Sequence, residues 1–229
     1  MVQNIYNQSC THLLAVDCII FGYLQDELKL LLFKRRIEPA KGQWSLVGGW
    51  VQDNESVEDA AYRVLYGITG LKDLFLEQVQ VFSEPDRDPG GRVLSVAFYA
   101  LIRIDKQDEE LIKKNSSSWF AISKLPKLIF DHDKMLEKAL EKLRKKASIE
   151  LIGRQLLPEE FTILQLRKLY SAIFQREFDP GNFRKKIMST GILKRLDTKD
   201  KSMSKKGAYY YTYKDRSEDL FTDHIVRYL

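Results

Sequence analysis

The stretch from Gly48 to Leu71, GGWVQDNESVEDAAYRVLYGITGL, constrains the chain more than any other. It opens on paired glycines and runs through a polar turn. Ser56 and Asp59 then have capping-box spacing, which predicts a helix starting near Ser56. Val57, Ala60, Ala61, Val64, Leu65 and Ile68 follow, close to the 3, 4, 7 spacing of a buried helix face. Gly67 or Gly70 ends the helix, glycine being the favoured residue after a last turn.

The same residues resemble a Nudix box, in which a glycine, a glutamate, an Arg-Glu pair, a Glu-Glu pair and a closing glycine recur at fixed spacing. Gly49, Glu55, Arg63, Leu65, Gly70 and Leu71 match, with no insertion or deletion. The three glutamates of the two pairs are replaced by Val64, Gly67 and Ile68. Those positions, at i, i+3 and i+4, share one helix face. Glutamates there would offer oxygen ligands to Mg²⁺, whereas Val and Ile offer none and Gly67 weakens the helix by roughly 1 kcal/mol relative to Ala. The resemblance therefore implies a Nudix-like domain used for binding rather than hydrolysis, with no catalytic residue and no metal. A chance helix-loop pattern would have to account for six matches in register.

The 229 residues allow one large or two modest domains, and 44% hydrophobic content is ordinary for a globular chain. No apolar run reaches the length of a bilayer span. The start, MVQNIYNQSC, lacks the basic and apolar regions of a signal peptide. With only Cys10 and Cys18, no disulfide framework is indicated, and a reducing cytoplasm is the expected location. His12, His132 and His224 have no metal-ligand spacing. The net charge of +5 is uneven: residues 1–150 carry 21 Lys/Arg against 22 Asp/Glu, and residues 151–229 carry 16 against 10. A basic second part suggests a polyanionic partner, the alternative being a solvated charged surface.

Residues 12–23 and 28–34 read as strands joined by a turn at Gln25-Asp26-Glu27. Asp17, the one acid in the first strand, is either a structural hydrogen-bonder or faces a pocket. Trp44 and Trp50 offer rings for stacking or for the core, Trp44 leaning to a pocket. Residues 74–82 and 93–104 read as strands flanking a charged Pro/Gly-rich loop, 83–92. A short strand starts at Ser118. A helix follows over about 133–146, with Met135, Leu136, Ala139, Leu140 and Leu143 on its buried face. Residues 147–158 form the candidate linker.

Beyond it, Thr162 and Gln165 fit a second capping box, followed by Leu166, Leu169, Tyr170, Ile173 and Phe174 at helical spacing. Asp179-Pro180 is an N-cap with Pro at the first helical position, and the helix it opens closes before Gly191. A strand over 192–196, a basic tip over 198–207 and a returning strand over 208–214 complete a winged helix-turn-helix. Residues 217–229 read as a terminal helix. Phe183 and Ile187 face the core, leaving Asn182, Arg184, Lys185 and Lys186 for DNA, with Lys205 and Lys206 at the wing tip. Tyr209, Tyr211 and Tyr213 share one strand face and suit core packing. A winged helix that binds protein is the alternative.

Together these features resemble Nudix-related transcriptional regulators, with DPGNFRKKI before a basic wing among the closest matches. The fold expected is α+β, a Nudix-like α/β/α sandwich over 1–149 followed by a winged helix-turn-helix domain over 150–229. FKRRIEPAKGQWSLVGGWVQDNESVEDAAYRVL and LIFDH bring the resemblance nearest to the arabinose-responsive repressors of Bacteroides-type bacteria. It implies a non-enzymatic homodimeric repressor of sugar utilisation on operator DNA, its effector a pentose such as L-arabinose. Other members respond to ADP-ribose and control NAD biosynthesis, so an ADP-ribose-responsive regulator of NAD metabolism is the alternative, beside a degenerate pyrophosphohydrolase. By position in that family, the effector cleft involves Lys34, Arg35, Trp44, Asp86, Arg87 and Asp88. No cofactor is implied.

Overall fold

The computed structural model describes residues 11–70, 74–104, 116–150, 152–202 and 205–214. The predicted terminal helix, Leu71, Cys10 and His224 lie outside them. The hairpin of β1 (Leu13–Leu24) and β2 (Glu27–Lys34) turns at Gln25 and Asp26, both with positive φ, 54° and 62°. Such a two-residue turn matches the twist of its strands. β3 (Trp44–Ser45), β4 (Val47–Trp50), β5 (Phe75–Phe82), β6 (Val93–Arg103) and β7 (Ser117–Ala121) complete a mixed seven-stranded sheet. Its centre is β1, which pairs in parallel with β6 and antiparallel with β2 and β4.

A strand covered on both sides needs apolar residues at consecutive positions, and β1 supplies them. Val16, Cys18 and Ile20 pack with Ala60, Ala61 and Leu65 of α1 (Val57–Thr69). Ile19 and Phe21 pack with Met135, Ala139 and Leu143 of α2 (His132–Ile149) on the other face. The Ser56–Asp59 capping box forms as expected, and Gly70 ends α1 in the left-handed conformation at φ 68°.

The stretch 147–158 is not a loose linker. Residues 147–149 finish α2, and α3 (Gly153–Leu156) follows as one helical turn. Ala147, Ile152, Leu156 and Leu157 are buried in the cluster that also holds Ile19 and Phe21. That cluster continues into the second domain: β8 (Phe161–Thr162), α4 (Ile163–Phe174), α5 (Pro180–Ser189), β9 (Leu193–Asp200) and β10 (Ala208–Tyr213). The Thr162–Gln165 capping box and the Asp179 cap with Pro180 both form. β9 runs to Asp200, four residues beyond the expected strand, and its basic residues find a use there. Arg195 and Lys199 lie over the Tyr209 ring at 4.6 and 4.3 Å, so the charges ride on the strand. Tyr211 is buried and Tyr213 packs on Phe161, as core residues should. A bulge between Tyr209 and Tyr211 interrupts the alternation.

Candidate functional site

β1 and β4 build the floor of a cavity of about 290 Å³ through the pairs Ala15 with Trp50 and Asp17 with Gly48. A Cβ on Gly48 would meet Asp17 Oδ1 at 2.5 Å and the Val16 carbonyl oxygen at 2.9 Å, so the strands reach this spacing only with glycine there. Phe33, Arg35, Arg36 and Ile37 form one wall, Arg87, Asp88 and Val93 another, and Phe130 and His132 close the end.

Four ionisable side chains interlock beneath. Arg87, with only 3% of its side chain exposed, makes a bidentate pair with Asp131, at 3.0 Å through Nε and 2.9 Å through Nη2. Its Nη2 also lies 3.8 Å from Asp17, whose other contacts are a 2.6 Å hydrogen bond from the Ser95 hydroxyl and His132 Nε2 at 3.9 Å. Asp17 is thus both of the things its sequence position allowed, a structural hydrogen-bond acceptor and a pocket residue. The Leu46 N–H donates to His132 Nδ1 at 3.1 Å, which puts the ring proton on Nε2, facing Asp17.

Burial holds His132 below its ordinary value of 6.5, against the opposing pull of Asp17 and Asp131. The unfolded chain therefore takes up a proton near pH 6.5 that the folded chain accepts only at lower pH, and stability falls with acidification across that window. His132→Asn, whose amide oxygen can still accept from Leu46, should flatten this slope. Urea midpoints of the two proteins should converge between about pH 7 and pH 5.5, the difference changing by at most about 1.4 kcal/mol per pH unit. Parallel profiles would show that His132 is not the group responsible.

Of the six residues expected in the cleft, Arg35, Arg87 and Asp88 line it. Lys34, Trp44 and Asp86 do not. Phe33 and Ser45 face the cavity, so their strand neighbours Lys34 and Trp44 face the other way. There Trp44 meets Phe120 edge-on at 4.8 Å, and Lys34 Nζ sits 5.3 Å over the Trp44 ring. Asp86 lines an adjoining depression with Glu84, Pro89 and Lys134, which shares Arg87 and Phe130 with the cavity. Trp50, 46% exposed, is the tryptophan at the cavity. Arg36 was within reach of sequence reading, next to Arg35. Asp131 was not, because its partner Arg87 lies 44 residues away.

On α1, Val64 and Ile68 are half-buried against the sheet cluster, and Gly67 is exposed. A Cβ on Gly49 would meet Val64 Cγ2 at 2.8 Å. The surviving box residues hold each other: Arg63 donates to both Glu55 oxygens, at 2.8 and 2.5 Å, and to the Trp50 carbonyl at 2.9 Å. That pairing, the guanidinium foremost, pushes the Glu55 carboxyl down to about 2. Among the described residues no three His, Cys, Asp or Glu side chains gather as a metal site.

In the second domain α5 buries Phe183 and Ile187 and presents Asn182, Arg184 and Lys185 to solvent, with Lys186 half-buried. Arg184 Nη2 donates to the Tyr211 hydroxyl at 3.3 Å. Lys205 and Lys206 are exposed in the turn before β10. No helix among the described residues is long and apolar enough to cross a membrane.

A cleft beside a box helix, followed by a winged helix whose second helix exposes Arg184 and Lys185, defines a NUDIX-type domain joined to a winged-helix domain. The NUDIX domain model matches residues 11–140 and the NrtR DNA-binding winged helix domain model residues 153–213. The chain belongs to the NUDIX family, in the branch that carries the NrtR winged helix. It is 28% identical over 220 residues to the ADPR responsive transcriptional repressor NtrR of Acinetobacter baylyi, covering 94% of this chain and 88% of that one. The structure of Shewanella oneidensis NrtR complexed with a 27mer DNA superposes with TM-score 0.76 at 27% identity, covering 88% and 93%. The NUDIX domain of the same protein complexed with ADP ribose superposes with TM-score 0.52 at 28% identity, covering 62% and 99%. These relatives overturn the expectation of an arabinose-responsive regulator of sugar use, because the ligand they name is ADP-ribose.

Proposed function

We propose that this chain is a DNA-binding repressor of NAD metabolism that responds to ADP-ribose and does not hydrolyse it. One observation carries the reading: the cleft keeps cationic and aromatic side chains, while the helix face beside it is apolar at Val64 and Ile68. Arg35 donates through Nε to the carbonyls of Ile37 at 3.2 Å and Pro39 at 2.7 Å, which fixes its guanidinium over Phe130 at 5.2 Å. Arg35 and Arg36 suit a diphosphate, with Trp50 and Phe130 for the groups that flank it. Asp88 closes the rim of this site. Sensing belongs to residues 1–149 and DNA binding to 150–229. There Asn182, Arg184, Lys185 and Lys186 meet the major groove, and Lys205 and Lys206 the backbone. The working unit is a homodimer, since one recognition helix covers one half-site.

Titration calorimetry of ADP-ribose, followed by chromatography of the same sample with Mg²⁺, tests the reading. The expected result is saturable binding with ADP-ribose recovered intact. Steady Mg²⁺-dependent release of AMP, abolished in Glu55→Gln, would make the protein a pyrophosphohydrolase instead.

A further inference from the structure

The cleft and the winged helix are joined by α2. We infer that α2 carries cleft occupancy to the recognition helix α5, with Arg87 and Arg144 as the positioning residues at its two ends. The inference rests on the ADP-ribose reading above and adds the route by which that site is coupled to DNA.

At the first end, three consecutive residues lead from the cavity into α2. Phe130 lines the cavity in the left-handed conformation, φ 51°, which a bulky residue seldom adopts outside a binding or switch segment. Asp131, at the N-cap position, holds Arg87 in the bidentate pair. His132 accepts the Leu46 N–H from the cavity floor. An anion entering the cleft competes with Asp131 and Asp17 for the Arg87 guanidinium, which prefers bidentate oxyanion partners. Any loosening of that pair is felt at the first turn of α2.

The helix is 18 residues long, roughly 27 Å at 1.5 Å per residue. Its far half is held to β5 by Glu77, which pairs with Lys142 and Lys146 at 3.1 Å each. At that end Arg144 Nε donates to the Ile173 carbonyl at 2.9 Å. Ile173 lies in the last turn of α4, whose carbonyls have no donor within their own helix. From there Gln175, φ 52°, turns the chain toward α5. Tyr170 and Phe178 pack on Phe183 of α5 at 5.6 and 5.8 Å between ring centres, so α4 and α5 shift as one body.

A polar contact between the domains that lies off this route makes a control. Lys168 of α4 pairs with Asp26 in the β1–β2 turn. Neither residue lines the cavity, and the inferred route does not pass through them.

The test compares how far saturating ADP-ribose weakens operator binding in the full-length wild type, Arg144→Ala and Asp26→Asn. A wild-type effect in the usual range of about 5–150-fold should fall below about twofold in Arg144→Ala, with calorimetric ADP-ribose affinity and ligand-free operator affinity retained, and should persist in Asp26→Asn. Arg144→Lys, which keeps a charged donor, should restore part of it. Should Arg144→Ala not fold, hydrogen exchange on the wild type decides: ADP-ribose should change protection in α4 and α5. A full effect in Arg144→Ala, its loss in Asp26→Asn alone, or unaltered exchange in α4 and α5 overturns the route. A wild type whose operator affinity ignores ADP-ribose overturns the function itself, and the route with it.

Discussion

Arg87→Ala should lower the unfolding free energy by about 3–5 kcal/mol, the cost of leaving one member of a buried ion pair without its partner. Arg87 is almost wholly buried and faces two carboxylates, Asp131 at 2.9 Å and Asp17 at 3.8 Å. Removing it takes the bidentate partner from Asp131 and leaves Asp17 with Ser95 and His132. A domain has about 5–15 kcal/mol of stability in total, so a loss of this size is visible in any urea titration. The double variant Arg87→Leu with Asp131→Leu should recover much of the loss, because apolar residues of similar size often replace a buried pair without penalty. A loss below about 1 kcal/mol is what a solvent-screened pair would give, and it would contradict the geometry described.

Arg184→Ala should cost about 1–3 kcal/mol on the operator and much less on random duplex, if its guanidinium reads a base edge. The Tyr211 hydroxyl, 3.3 Å from Arg184 Nη2, steadies that guanidinium beside the exposed face of α5. Lys205→Ala should weaken every duplex alike and lower the log-log salt slope by about one unit, as the loss of one phosphate contact does. Anisotropy isotherms on operator and scrambled duplex at several salt concentrations separate the two behaviours. Equal losses on both duplexes for Arg184→Ala would remove it from base readout.

What the sequence made legible was local. The Ser56–Asp59 and Thr162–Gln165 capping boxes and the Asp179–Pro180 helix start all formed, because each rule acts within a few residues. Five of the sheet's seven strands are legible as apolar runs, whereas β3 and β4, two and four residues long, are not. Trp44 and Lys34 were placed on the wrong side of the sheet. β3 is two residues long, too short for its alternation to be read, and only its pairing with β2 assigns Ser45 to the cavity and Trp44 to Phe120. The stretch at 147–158 looked like a linker because it breaks the helical pattern. Its buried residues, Ile152, Leu156 and Leu157, show that a pattern break marks a change of element as readily as a loose joint. The Arg87–Asp131 pair spans 44 residues, and no spacing rule reaches that far. The effector was misassigned for a different reason. The stretches that carry the family likeness, 33–65 and 128–132, run through the cleft as well as the box helix. A likeness shared by several members of one family does not by itself say which ligand the cleft takes.

The proposed function requires that cleft occupancy change DNA affinity, and linkage requires the effect to run both ways. The most direct measurement is a set of operator-binding isotherms for the full chain at increasing ADP-ribose, using a labelled duplex selected from a random pool. The midpoint should move to higher protein concentration by about 5–150-fold and then saturate. Isotherms that superimpose at ADP-ribose concentrations shown by calorimetry to fill the cleft would contradict the account.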